Sequence, residues 1–325
     1  MSQTRTTNSP VNNVVHIIIP VNVNLGGSLI VGTTLGISLH PIDRAMFLKS
    51  IDPHKHSKSI FSSQYWINPM NGLRNTFYQR ILSNGTYFFL QGEMKSLFLP
   101  YLKEHHWGNQ SANFIVGSGA GALTGMIANA SYAVKFYTFQ KNSGGPIENA
   151  IEMFRHGGAH PFFKGKYAGI FRDMKFGATY ELLNSCFDQY ALPHVATYDS
   201  SIQNSTYFMT RFLSAAAGTT LSAPANYVRN MQFKSHPKHR QPHAFDILSE
   251  AWIRSTQGLN KENPTAGKIP TMARLNFFRK EFMIGTGTIR SATGMALGQM
   301  LFSRTVEFLR SQDRGPKATT PKIKN

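Results

Sequence analysis

Three arginines, Arg80, Arg172 and Arg290, recur at matching places in three segments that read as helices. A guanidinium presents its N–H donors in a rigid fork that fits a carboxylate or a phosphate. The intervals between the arginines are 92 and 118 residues, and the longer interval contains residues 254–280, which are rich in Gly, Pro, Asn and Lys. The spacing therefore predicts three anion-binding side chains on repeated elements, with an inserted loop before the third. The alternative interpretation is that each arginine forms a structural ion pair with a helix carboxylate.

The elements that must position these arginines show a repeat of their own. A helical segment rich in small residues runs into a proline-type position three times, in residues 27–48, 117–139 and 214–233. The anchors, Pro41, Ala130 and Pro224, are 89 and 94 residues apart. This period leaves room in each unit for two long helices and their connections. Gly117 and Gly121 belong to a ladder of small residues that allows helices in lipid to approach closely.

Composition alone favours a different class of protein. Lys and Arg outnumber Asp and Glu by 34 to 16, which gives a net charge of +18 and suits nucleic acid, an anionic membrane surface or an anionic substrate. The mean hydropathy of −0.25, without long apolar runs, is typical of a soluble chain. However, residues 112–139 carry one charge, Lys135, and residues 282–303 carry only Arg290. Isolated basic residues in segments of this length are typical of membrane helices that line a polar cavity.

Several kinds of chemistry have no sequence support. The chain has one cysteine, Cys186, so an intrachain disulfide and a cysteine metal cluster are excluded. Its histidines lie mainly in polar connections without a convincing ligand set. The run from Gly117 to Gly121 lacks the Lys-Ser/Thr of a phosphate-binding loop. Because we find no catalytic triad, paired acids or dinucleotide fingerprint, we expect a protein that is not an enzyme and has no cofactor and no metal.

The repeated kink resembles the signature of the mitochondrial carrier family, which reads Pro-x-Asp/Glu-x-x-Lys/Arg. The three signature positions are filled by Pro41, Asp43 and Met46 in the first unit, by Ala130, Tyr132 and Lys135 in the second, and by Pro224, Asn226 and Arg229 in the third. The resemblance covers about residues 22–312. It implies an all-α membrane protein, with six transmembrane helices in three tandem two-helix repeats that form a pseudo-threefold barrel with short matrix-side helices.

The resemblance also implies boundaries for the units. The three carrier repeats would span residues 22–104, 112–195 and 206–312, with the inserted loop at about 254–280 in the third. Residues 1–21 would form a polar extension, and residues 313–325 would form a disordered tail.

In the family, the acids and cations at the kinks form a ring of salt bridges that closes the matrix side. Here only Asp43 remains of the three acids, and Lys135 and Arg229 remain of the three cations. Tyr132 and Asn226 replace the other acids. On the opposite side Glu93 is a plausible acid, while Ser185 and Ser303 are found near the other positions. We interpret this depletion as a gate that is weak or closed in a different way.

The resemblance places Arg80, Arg172 and Arg290 at the substrate. Arg172 and Asp173 together resemble the pair found in amino-acid carriers, whereas Gly169 and Ile170 resemble the pair of nucleotide carriers. A gap of about three residues decides between these registers, and we favour an amino acid or carboxylate.

The turn formed by Phe163, Lys164 and Gly165 resembles the family's cardiolipin site. Its alternative is an ordinary tight turn.

The expected function is a monomeric antiporter that moves a small anionic or zwitterionic metabolite across the mitochondrial inner membrane by alternating access. The main alternative is a degenerate carrier-like protein that acts without transport, as an adaptor or as an insertion or fusion factor, with the mitochondrial outer membrane as the alternative location. A nucleic-acid partner is not expected, because the basic residues are dispersed among loops instead of forming a stripe.

Overall fold

A computed structural model describes residues 21–51, 59–141, 144–235, 239–262 and 271–313. Within these ranges every regular element is helical, as the sequence predicts. The helices are α1 (Val21–Ser38), α2 (His40–Ile51), α3 (Leu73–Glu104), α4 (Asn109–Lys141), α5 (Pro146–Gly157), α6 (His160–Phe163), α7 (Lys166–Tyr190), α8 (Leu192–Val195), α9 (Ser200–Lys234), α10 (Ala244–Glu262), α11 (Thr271–Glu281) and α12 (Thr286–Asp313), with a single 3-10 turn at Ser63–Tyr65. The expected tail, and the expected extension up to residue 20, lie outside the described residues.

Six of these helices pack side by side in a closed ring. Contacts run from α1 to α3, from α3 to α4, from α4 to α7, from α7 to α9, from α9 to α12 and back from α12 to α1. The shorter helices connect the long ones. Because the six long helices close a ring, each of them has one face toward its interior.

The first helix of the ring is bent by 60° between Leu25–Ser38 and His40–Lys49. The break lies at Leu39, just before Pro41. Proline has no N–H to donate to the carbonyl four residues earlier, that of Ile37, and its ring crowds that carbonyl, which accounts for the break. At the two equivalent positions, α4 and α9 continue as single helices through Ala130 and Pro224.

The ring is largely apolar outside and polar inside. Large apolar side chains such as Ile30, Phe114 and Leu213 are exposed, whereas polar side chains such as Gln79 and Glu181 are buried. Among the described helices, none alone combines the length and the hydropathy needed to cross a bilayer; only the bent pair α1 and α2 meets both criteria when its two parts are taken together.

The glycine ladder forms the closest helix contact of the ring, between α4 and α7. A Cβ atom on Gly121 would lie 2.6 Å from the carbonyl carbon of Asp173, and one on Gly125 would lie 2.9 Å from Cα of Ile170. Gly117 meets the backbone of Gly177 in the same way. The small side chains expected from the sequence are therefore required for this contact.

The amphipathic helix α5 is attached to the end of α4. The Tyr137 hydroxyl donates to Oε1 of Glu152 at 3.0 Å, and Lys141 forms an ion pair with the same carboxylate. The hydrogen bonds from Lys141 and Tyr137 hold the pKa of Glu152 below its usual value. On α5, Met153 is buried while Phe154 is exposed.

Pro100 does not end α3, which continues to Glu104, since a proline near a helix end removes only one hydrogen bond. One expected boundary is wrong. Residues 254–280 are not a loop: α10 extends through Glu262, and α11 occupies Thr271–Glu281. The Gly, Pro and Asn residues that suggested a loop are concentrated in residues 258–270, of which 263–270 lie outside the described ranges.

Candidate functional site

A central cavity of about 300 Å³ lies inside the ring, and each element of the ring contributes one charged side chain to it. Five of the charged residues in its described lining are basic and one is acidic. They are Asp43 from α2, Arg80 from α3, Lys135 from α4, Arg172 from α7, Arg229 from α9 and Arg290 from α12. The structure thus brings together the three arginines predicted to bind substrate and four of the five residues predicted to form the gate, because Asn226 also lines the cavity.

Asp43 is the hub of this cluster. Its Oδ2 accepts a hydrogen bond from Nη2 of Arg80 at 2.7 Å and lies 3.7 Å from Nζ of Lys135. Its Oδ1 forms an ion pair with Arg290. The Asp43 side chain is only 8% exposed, so three cations share one buried carboxylate. Two of the predicted substrate residues are therefore partly engaged by the predicted gate acid.

Tyr132 stands where the family has its second acid, and its ring faces two cations. Cζ of Arg229 lies 4.5 Å from the ring centroid, and Cζ of Arg172 lies 5.5 Å from it. Both distances are within the range of cation–π attraction. Nη2 of Arg229 also donates to Oδ1 of Asn226 at 2.7 Å. The aromatic face and the amide thus contact cations at the two positions where the carrier signature would place carboxylates.

The Arg172 and Asp173 pair is present, but only Arg172 lines the cavity. Nη2 of Arg172 lies 2.5 Å from Oδ1 of Asp173, whose side chain is buried against α4 next to Gly125. Gly169 also packs against α4, since a Cβ atom added to it would lie 3.3 Å from Oδ1 of Asn129. Neither Asp173 nor Gly169 lines the central cavity, so Arg172 is the charged residue that α7 contributes to its described lining.

Several guanidinium nitrogens around the cavity are buried without a hydrogen-bond partner among the described residues. They are Nε of Arg80, Nε and Nη1 of Arg229, and Nε of Arg290. An unsatisfied buried donor costs about 1–3 kcal/mol, and more when it is charged. A bound anion would supply the missing acceptors.

Next to the central cavity, along the length of the helices, lies an apolar layer formed by Leu35, Phe88, Phe176 and Tyr180. In α7 the order is Arg172, which lines the cavity, then Phe176 and Tyr180, whose rings stack at 5.7 Å. In α3 the order is the same: Arg80 lines the cavity, and Phe88 of the layer comes two turns later. The ring of Phe88 stacks on that of Phe302, with 5.3 Å between the ring centroids. The residues beyond the layer line a second cavity.

The second cavity, of about 720 Å³, is lined by α3, α4, α7, α9 and α12. Nζ of Lys95 lies 2.5 Å from Oε2 of Glu181, and Nη2 of Arg211 lies 2.7 Å from Oδ1 of Asp188. Ser185 lines this cavity, as its predicted position near the second gate implies, while Ser303 is exposed. Glu181 lines this cavity and pairs with Lys95 of another helix, whereas the predicted Glu93 is not among the described lining residues.

Sequence reasoning did not single out Arg211. The signal was available, because Arg211 is the only charge in residues 200–228. This is the same criterion that identified Lys135 and Arg290.

The predicted lipid turn lies between α6 and α7. Gly165 has a φ of +66°, and its N–H donates to Oε1 of Gln241 at 2.8 Å. Nζ of Lys164 donates to Oγ of Ser235 at 3.0 Å, while Phe163 is exposed. The N–H of Gly165 and the amino group of Lys164, two groups that would bind a lipid phosphate, thus already donate to other residues of the protein.

No protein-family model matches this chain, and no curated protein matches it in sequence.

Proposed function

We propose that this chain is a divergent carrier of the mitochondrial type, which moves a small anionic metabolite through a barrel of six transmembrane helices. The observation that carries the proposal is the central cavity, where every element of a closed helical ring presents one charged side chain. A site built from all elements of a barrel is suited to a ligand that must pass along its axis.

The charge of the cavity favours an anion. Arg80, Lys135, Arg172, Arg229 and Arg290 face a single lining carboxylate, that of Asp43. The unpartnered guanidinium nitrogens are donors for a carboxylate or phosphate, and such charge-assisted hydrogen bonds are the strong ones. A volume of about 300 Å³ is at the lower end of the range for ligand pockets, which favours a small carboxylate over a nucleotide.

The exterior favours a membrane location, for which we propose the mitochondrial inner membrane. Exposed apolar side chains cover the outside of the ring, including Leu29, Met126 and Leu221. Such a surface is costly in water and suits lipid, and the glycine contact between α4 and α7 is of the type used by membrane helices. The buried charges would then face a polar interior, as membrane proteins require.

The two cavities support transport by alternating access. They lie on either side of the apolar layer, and each has an ion pair between helices, Asp43 with Lys135 in one and Glu181 with Lys95 in the other. A substrate that binds one conformation more tightly than the other would shift the population between two states, each open at one end.

The test is an uptake screen in proteoliposomes with radiolabelled carboxylates, amino acids and phosphate compounds. Arg172→Ala and Arg290→Ala should each lower uptake of the substrate about tenfold or more, because each removes charge-assisted hydrogen bonds to it. Lys175→Ala, on the exposed face of α7, is the matched control and should keep normal uptake. Absence of uptake for every compound would contradict the proposal.

The depleted ring of acids at Tyr132 and Asn226 favours a second candidate, a carrier-like adaptor that does not transport. A ligand that binds only the native state raises the melting temperature. If no amino acid, keto acid or nucleotide gives the purified protein a rise in melting temperature that Arg290→Ala abolishes, the adaptor is the better assignment.

A further inference from the structure

Arg211 is a buried cation in the second cavity that the central site does not use. The residue is 6% exposed, and its guanidinium lies 4.5 Å from the ring centroid of Tyr207. One nitrogen, Nη2, donates to Oδ1 of Asp188 at 2.7 Å. The other two, Nε and Nη1, are buried and have no hydrogen-bond partner among the described residues. Two donor nitrogens of one guanidinium are therefore free for the oxygen atoms of an acceptor such as a carboxylate.

Two acceptors in the lining of the same cavity are also unsatisfied. Oδ1 of Asn184 and Oε1 of Gln299 are buried without a partner in the part of the chain that the structure describes. Asp188 adds a carboxylate that is 47% exposed and thus open to the cavity. Ammonium groups are bound by carbonyl and carboxylate oxygens of this kind, since an ammonium offers three donors and no acceptor.

The charge balance of the second cavity differs from that of the central one. Its charged lining residues are Lys95 and Arg211 against Glu181 and Asp188, so the described lining has no net charge. Its remaining lining residues are almost all amides, including Asn109 and Gln189. A dianion would meet two carboxylates here, whereas a dipolar ligand would find a partner for each of its charges.

We propose that the second cavity binds the head group of an amino acid. The carboxylate would accept a hydrogen bond from one of the two free guanidinium nitrogens of Arg211, and the ammonium would donate to the carbonyl oxygens of Asn184 and Gln299 and to Asp188. A hydroxy acid would leave most of the acceptors unfilled, and an amine would leave the guanidinium unfilled. The volume of about 720 Å³ leaves room for a side chain. This site is separate from the central cavity and does not depend on transport.

The experiment measures the melting temperature of the full-length protein in detergent. The probes are alanine, glutamine, glutamate and lysine, each compared at equal concentration with its 2-hydroxy acid and its decarboxylated amine. At least one amino acid should raise the melting temperature, and its two counterparts should not, because each lacks one of the two charged groups.

Variants then locate the ligand. Arg211→Gln removes the charge and keeps an amide donor for Asp188, and Gln299→Met removes the carbonyl acceptor at similar volume. Each should raise the amino-acid concentration for a half-maximal shift about tenfold. Arg304→Gln is the matched control, since Arg304 is on α12 with a side chain 67% exposed, and it should behave as the unaltered protein. Arg172→Gln, in the central cavity, should also leave this shift unchanged.

Three outcomes would overturn the assignment. Equal shifts from the amino acid and its hydroxy acid would make the cavity a simple anion site. A shift that survives both Arg211→Gln and Gln299→Met, or that disappears in Arg172→Gln, would place the ligand elsewhere. No shift with any amino acid would remove the site. Failure of the carrier proposal is distinguishable, because it would abolish uptake and leave this shift in place.

Discussion

Asp43 is the residue on which the packing of charge in the central cavity depends. Three cations, Arg80, Lys135 and Arg290, lie against its buried carboxylate. Asp43→Asn would leave all three without their anion. Removing one partner of a buried ion pair costs about 3–5 kcal/mol. We expect a loss of stability of this order, measured as a lower melting temperature and a lower denaturant midpoint.

The control for Asp43 is the same substitution at an exposed site, Asp199→Asn. Asp199 precedes α9 without a side-chain cap hydrogen bond, and asparagine is as good at that position. This variant should stay within about 0.5 kcal/mol of the unaltered protein. If Asp43→Asn were equally mild, solvent would be screening the three cations, and the cluster would not be buried in solution.

Tyr132 allows the contribution of an aromatic face to be separated from that of its hydroxyl. Tyr132→Phe keeps the ring that contacts Arg172 and Arg229, whereas Tyr132→Leu removes it. Because a desolvated cation–π contact contributes about 2 kcal/mol, the Leu variant should lose about that much or more and the Phe variant little. Thermal unfolding of both variants tests this. Equal losses would show that the hydroxyl, and not the ring, holds the cations.

At the scale of elements, the contact between α4 and α7 depends on glycine. In Gly121→Ala the new methyl group would overlap the backbone of Asp173 and Met174, which cannot move as a flexible side chain can. Overpacking of this kind costs about 1–3 kcal/mol. Gly85→Ala, on α3, is the control with the opposite sign, since its methyl group would meet only Leu29 at 3.9 Å.

The Gly85 control should be neutral or stabilise by up to about 1 kcal/mol, because alanine is the better helix former. Melting temperatures of the two variants check the contrast. A mild effect at Gly121 would mean that α4 and α7 are farther apart than described.

The helices could be predicted more fully than the site. The small-residue ladder and the long weakly charged segments indicate helices: residues 112–139 lie within α4, and most of residues 282–303 lie in α12. The sequence could not reveal that Asp43 collects three cations from separate helices, because that depends on how the ring closes. It also could not show that Asp173 faces a neighbouring helix, since the register of α7 depends on its contact with α4.

At the scale of the whole molecule, the three pairs of signature positions differ in the contacts that join neighbouring helices. Asp43 and Lys135 link α2 to α4 by charge, and Tyr132 and Arg229 link α4 to α9 by an aromatic contact. At the third position Asn226 bonds to Arg229 of its own helix, and Met46 has no charge to offer α9. Signature positions that are joined by one ion pair and one aromatic contact should separate without substrate more readily than positions joined by three ion pairs.

On the carrier proposal, this closure predicts flux without a counter-substrate. Proteoliposomes loaded only with buffer should accumulate the external substrate, because the substrate-free protein can still change state. Tyr132→Glu would place a carboxylate opposite Arg229 and add an ion pair between α4 and α9, so it should lower this unidirectional flux about severalfold while exchange falls less. The readout is the ratio of uptake into empty and substrate-loaded vesicles. Obligatory exchange in the unaltered protein, or an unchanged ratio in the variant, would show that the gate closes through contacts other than those at the kinks.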